Sequence, residues 1–173
     1  MEHLKYPIGR FNLPSSYTHQ QRKNFIKILK DAPNKYKDAI TSLTEEQLNT
    51  AYRDGGWTPK QVIHHVADSH MNSLIRVKLA LTEENPTIKA YDENAWISLN
   101  DSNIDFYSSL KIIEGIHERY VVLLESLTEE EFKRTCYHPE LKLNISIDFI
   151  LALYAWHSEH HLAHINLVKN NNN

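Results

Sequence analysis

The 173-residue sequence contains one cysteine, Cys136. A lone thiol forms no internal disulfide and builds no cysteine-based zinc knuckle. Glycine (4) and proline (6) are scarce, and few such breakers favours long helices over many short strands. No uncharged apolar run reaches the ~20 residues that span a bilayer. Met1 to Pro7 lack the apolar run of a secretion signal. Charge of one sign is also missing: 19 Lys plus Arg stand against 22 Asp plus Glu, a formal charge of −3. Nucleic acids and anionic membranes are met by clustered basic surface, so neither is expected as a partner. A hydrophobic content of 41% with 10% aromatics suits one packed domain. The expectation is a soluble, cytoplasmic domain over residues 1–169, followed by a frayed Asn tail at 170–173. The abundant residue is histidine, with 11 copies.

Four segments have helical periodicity. The first covers about Ser16 to Ile40, with Phe25, Ile28, Leu29 and Tyr36 near helical spacing; Pro33 should kink or divide it. The second runs from Thr58 to about Leu81, with Thr58 as N-cap, Pro59 in the first turn and Gln61 closing a capping box. The third covers Ser109 to Ser126, with Leu110, Ile113, His117, Tyr120 and Leu124 on one face. The fourth covers Ile147 to Val168, with Ser146 as cap. The phrases SLTEEQ (Ser42–Gln47) and SLTEEE (Ser126–Glu131) each follow a long helix and open a short one through a capping box. The simplest reading is two helical hairpins joined by a long crossover from Glu83 to Ser108, which carries a short helix near Asp92–Leu99. The fold class is therefore all-α, a four-helix bundle with a long connection and short extra helices. Tyr137 to Ile145 has room for a short hairpin.

The fourth segment reads ALYAWHSEHHLAHINLV. Steps of three and four residues connect Ile147, Ile150, Tyr154, His157, His161, His164 and Val168 into one seam that should face the bundle interior. Leu or Ile is expected at such places, because an unpartnered buried imidazole costs free energy. His157 and His161 can offer two ring nitrogens to one metal ion, as paired histidines do in helical zinc sites. The pair His160/His164 has the same spacing and competes. On the second helix His64 and His65 point about 100° apart, and His65 shares a face with Asp68, Ser69, Asn72 and Arg76. A polar stripe on a core-forming helix suits a metal cavity, which makes His65 the candidate third ligand and His70 a weaker one. Cys136 has no flanking base or orienting group. Tyr91, Trp96, Trp57 and Trp156 read as core or crossover anchors, and Gly55-Gly56 as a turn ahead of the helix cap.

The stretches Tyr6–Phe11 (YPIGRF), Tyr52–Glu84, Ile116–Phe132 and Tyr154–Ile165 (YAWHSEHHLAHI) resemble the DinB/YfiT-like superfamily of metal-dependent four-helix proteins. The likeness is to its YfiT-type group, which includes bacillithiol S-transferase-like proteins regarded as metal-dependent hydrolases. In such proteins the first ligand follows the Trp that opens the second helix by eight residues, which lands on His65. The other two are an i, i+4 pair in the last helix, which maps onto His157 and His161. Leu162-Ala163-His164 stands where the wider superfamily has Arg-x-Gln. The resemblance implies a cytoplasmic homodimer with one nickel or zinc ion per subunit.

Three neutral imidazoles leave a coordination position open, the pattern of a catalytic metal site. An open divalent ion can lower the pKa of bound water or of a bound thiol. The resemblance tilts the reading toward transfer of a low-molecular-weight thiol, such as bacillithiol, to an electrophile. Metal-bound hydroxide acting as a hydrolase of a small substrate, and a non-catalytic metal-binding stress-response bundle, are the alternatives. Asp68, one turn beyond His65, is the candidate for orienting a ligand or accepting a proton, with Glu159 poorer. Arg76 is a candidate for a substrate carboxylate.

Overall fold

The computed structural model describes residues 2–14 and 16–170. Its long helices are α2 (His19–Thr41), α4 (Pro59–Thr82), α6 (Tyr107–Glu125) and α8 (Ile147–Asn170). Short helices fill the connections: α1 (Glu2–Lys5) at the start, α3 (Glu45–Leu48) between α2 and α4, α5 (Glu93–Ile97) in the crossover, and α7 (Glu129–Phe132) after α6. Strands β1 (Thr135–His138) and β2 (Leu143–Ser146) pair antiparallel as the expected hairpin. No described helix is long and apolar enough to cross a membrane.

Helix starts follow the local chemistry. Capping boxes are formed by Thr44 with Gln47, Thr58 with Gln61, and Thr128 with Glu131. Ser146 Oγ accepts from Phe149 N at 3.1 Å and opens α8. A further box, Thr18 with Gln21, starts α2 later than the Ser16 expected from periodicity. Pro33 does not divide α2, which continues to Thr41. The carbonyl it leaves without an N–H is that of Leu29, and a side chain from α6 meets it instead. Asn170 lies within α8, and the remainder of the expected tail, 171–173, lies outside the described residues.

The order of helices around the bundle differs from two adjacent hairpins. α2 and α4 each pack against both α6 and α8, and so face one another across a diagonal. The 42–58 connection carries α3 and is long enough to cross the bundle end, so α4 need not return beside α2. Two apolar clusters form the core, one around Leu29, Tyr120, Ile147 and Leu151, the other around Tyr36, Ile40, Ile63, Ile113 and Ile165. A buried ion pair joins α2 to α8, with Arg22 Nε and Nη2 donating to Asp148 Oδ1 at 2.6 Å and Oδ2 at 2.9 Å. Glu129 also accepts from Arg22. Burying an arginine requires such pairing.

Candidate metal centre

The diagonal arrangement lets α4 and α8 lie side by side, and it sets His65 against His157 and His161. Among the described residues, these three form the one group of His, Cys, Asp or Glu with ligand atoms all within 4.8 Å of one another. His65 Nε2 and His157 Nε2 are 3.2 Å apart. Ligand nitrogens about 2.1 Å from a tetrahedral zinc ion stand roughly 3.4 Å from each other, so the spacing fits one ion.

The electrostatics fit as well. Burial holds His65 down to about 4, with smaller contributions from His160 and His164. Burial likewise keeps His157 and His161 well below the ordinary imidazole range, reinforced by their histidine neighbours. At neutral pH all three are uncharged and can offer lone pairs.

The neighbouring histidines have other partners. His64 Nδ1 lies 2.8 Å from Ser109 Oγ, and its Nε2 3.3 Å from the Ile104 carbonyl, so both ring nitrogens are engaged away from the cluster. His160 stacks on Trp156 at 4.4 Å, and its Nδ1 is buried without a hydrogen-bond partner among the described residues. His164 Nε2 reaches the Lys5 carbonyl at 3.2 Å, while its Nδ1 is 3.4 Å from His161 Nδ1. His70, five residues beyond His65, packs on the far side of His157, with its Nε2 3.1 Å from His157 Nδ1.

The cluster lies on the wall of a cavity of about 470 Å³. Trp57 and Trp156 belong to this wall rather than acting only as anchors. Trp57 lies 4.7 Å from the His65 ring and 6.3 Å from that of His161. Gly55 places Trp57 there by taking a positive φ of 63°, and a Cβ on Gly56 would meet Arg53 Cγ at 2.8 Å. Lys5, Tyr6 and Arg53 line the opening. Glu93 of α5 is the only carboxylate among the described residues that line it. A larger cavity of about 610 Å³ lies elsewhere, beside Arg22, Leu124 and Phe132, and lacks the histidine cluster.

Asp68 does not line the histidine cavity; its electrostatic neighbours are Asp101 and His64, and burial with Asp101 pushes its carboxyl up. Arg76 turns to the Tyr154 hydroxyl at 3.4 Å and the Lys89 carbonyl at 3.2 Å, and Glu159 is exposed outside the cavity. Of the α4 polar stripe only His65 reaches the cavity, because Ser69 and Arg76 are drawn to Tyr154 on α8. Cys136 is fully buried in β1, its thiol pushed up by burial.

Residues 28–165 match the DinB superfamily. A Bacillus subtilis protein named Putative metal-dependent hydrolase YfiT is 50% identical over 94% of this chain and 92% of its own length. A protein of Oceanobacillus iheyensis with the same descriptive name is 49% identical over 93% of each chain. The solved structure of YfiT superposes with a TM-score of 0.94 at 48% identity, covering 98% of this chain and 97% of that one. It is described as having an unusual four-helix bundle topology. The mycothiol-dependent maleylpyruvate isomerase shares the fold, with a TM-score of 0.66 at 15% identity over 83% of this chain and 60% of that one.

Proposed function

Because this chain belongs to the DinB superfamily, we propose that it is a metal-dependent enzyme holding one zinc or nickel ion by His65, His157 and His161, and that it activates a low-molecular-weight thiol for transfer to an electrophile. The observation that carries the proposal is the convergence of three uncharged imidazoles on the wall of a cavity large enough for a small organic molecule. Imidazole ligands suit both metals. A divalent ion bound there would keep one position open and lower the pKa of a thiol or water occupying it.

The protein's own residues favour the thiol. His65, His157 and His161 contribute no negative charge, so the loaded site stays cationic and attracts an anion. A water held by the ion would also lose its proton more readily, and the one carboxylate lining the cavity among the described residues that could assist its attack, Glu93, is exposed on α5. A thiol held there would give up its proton to solvent water as it bound. Its sulfur would then bond to the electrophilic carbon as a halide leaves, or as an epoxide C–O bond opens and the freed oxygen takes a proton from water. Trp57 and Trp156 supply apolar wall for the electrophile, and Lys5 and Arg53 place positive charge at the opening, where an acidic cosubstrate would be oriented. Cys136 is too deeply buried to serve as nucleophile.

Hydrolysis of a small substrate is the second reading, favoured by the name that the relatives carry and by Glu93 as the available base. The test is a thiol-by-electrophile screen on protein of measured metal content. Thiol-dependent loss of the electrophile, abolished in His161→Ala, is expected. Turnover of an ester or amide at equal rate without thiol would transfer the assignment to hydrolysis. Metal binding with neither activity would leave a non-catalytic bundle.

A further inference from the structure

Behind His157 a chain of hydrogen bonds crosses all four long helices. It begins at Leu29 in α2, whose carbonyl has no intrahelical donor because the residue four positions on is Pro33. His117 Nδ1 of α6 lies 2.6 Å from that oxygen. His117 Nε2 is 2.8 Å from His70 Nδ1 of α4, and His70 Nε2 is 3.1 Å from His157 Nδ1 of α8. His70 and His117 are 0% and 1% exposed, with stacked rings. Two aliphatic side chains would fill this space without desolvating four ring nitrogens.

The direction of every bond follows from its anchor. A carbonyl only accepts, so His117 Nδ1 carries the proton. A neutral imidazole has one N–H and one lone pair, so His117 Nε2 accepts and His70 Nδ1 donates. His70 Nε2 then accepts in turn, which places the proton of His157 on Nδ1. The nitrogen left with a bare lone pair is His157 Nε2, the atom facing His65 Nε2 at 3.2 Å. The opposite tautomer would aim a proton at the ion.

We propose that His70 and His117 are positioning residues that, anchored on the carbonyl freed by Pro33, fix His157 in its Nδ1–H tautomer and thereby present Nε2 to the metal. The inference rests on the metal-binding reading of the cluster and deepens it. Metal-bound histidines commonly donate their other N–H to a carboxylate, a carbonyl or water. Here the acceptor is a neutral imidazole, which orients the ligand without adding negative charge, so the site keeps its full pull on an anionic thiolate. His161 is set on a shorter route of the same kind, through His164 to the Lys5 carbonyl.

The test reads the tautomers directly and needs no turnover. Long-range proton–nitrogen correlation spectra of metal-free protein with ring-15N histidine should show His117, His70 and His157 protonated on Nδ1. Zinc affinity should then fall by roughly 10- to 100-fold in His70→Leu, the usual effect of losing such a partner. His70→Gln, which can accept from His157 and donate to His117, should restore affinity to within a few-fold of wild type. An Nε2–H signal for His157 or His70 in the wild-type protein would overturn the proposal, as would undiminished zinc affinity in a folded His70→Leu. If His70→Leu does not fold, a His70→Gln protein that folds but binds zinc as weakly as His157→Ala would do so too. Correct tautomers in a wild-type protein that binds no zinc would remove the metal reading and the positioning role with it, an outcome separate from any failure of thiol transfer.

Discussion

Acidification of the metal-free protein should unfold it between pH 6 and 5, well before its carboxylates titrate in bulk. Burial holds His65, His160 and His164 down to about 4 and keeps His70, His157 and His161 lower than the ordinary range, against a reference of about 6.5. Above that reference these imidazoles are neutral whether the chain is folded or not, and they leave stability unchanged. Below it the unfolded chain binds protons that the folded state refuses, so stability falls with falling pH at about 1.4 kcal/mol per unit for each histidine. At pH 5 each of the three held near 4 costs at most about 2 kcal/mol, or about 6 kcal/mol together, and His70, His157 and His161 add to the loss in the same direction, against the roughly 5–15 kcal/mol that a whole domain commands. Urea titrations of chelator-treated protein, followed by circular dichroism at pH 7.5, 6.5, 5.5 and 5.0, would measure this. The midpoint should drop steeply below pH 6.5, with uptake of several protons per molecule unfolded. A free energy of unfolding that changes by less than about 1 kcal/mol from pH 7 to 5 would refute the claim that these rings are folded in their neutral form.

Metal loading should raise stability by about 4 kcal/mol at a thousandfold excess over Kd, or roughly 8–16 °C in Tm for a domain of this size. An unchanged Tm after verified metal removal would count against the site. Asp148→Ala should destabilise by about 3 kcal/mol or more, because it leaves the Arg22 guanidinium buried with Glu129 as its remaining partner. Chemical denaturation checks this, and a loss under about 1 kcal/mol would mean that the pair contributes as little as an exposed one. Cys136→Ala should keep full thiol-transfer activity while His161→Ala loses it, and the reverse pattern in the same assay would make this a cysteine-dependent enzyme.

Much of the bundle was legible because the helix starts are local chemistry. Thr58-Pro59 with Gln61, and the two SLTEE phrases, announce their caps within four residues. The α8 seam was legible through periodicity alone, and its histidines were conspicuous because an apolar row is expected there. Periodicity names the buried face of a helix but not the helix that covers it, so the diagonal placement of α2 and α4 was out of reach. For the same reason His70 looked marginal. Its partner His117 was already on an interior face, and Pro33 already stood inside a helix, yet the link between them exists only once α6 packs against both α2 and α4. The cavity role of Trp57 was hidden because burial of an aromatic looks the same from sequence whether the neighbour is core or cavity.

Ahead of α2, Lys5 and Tyr6 line the cavity. Lys5 gives its carbonyl to His164, Tyr6 lies 5.9 Å from the His160 ring, and Phe11 packs on Trp156. A sequence joined in front of Glu2 therefore begins three residues from Lys5, which lines the cavity. A polyhistidine purification tag placed there would bring foreign imidazoles next to the native cluster, and the metal content of such a preparation would count ligands that the protein does not own. Metal stoichiometry belongs on protein from which that tag has been cleaved.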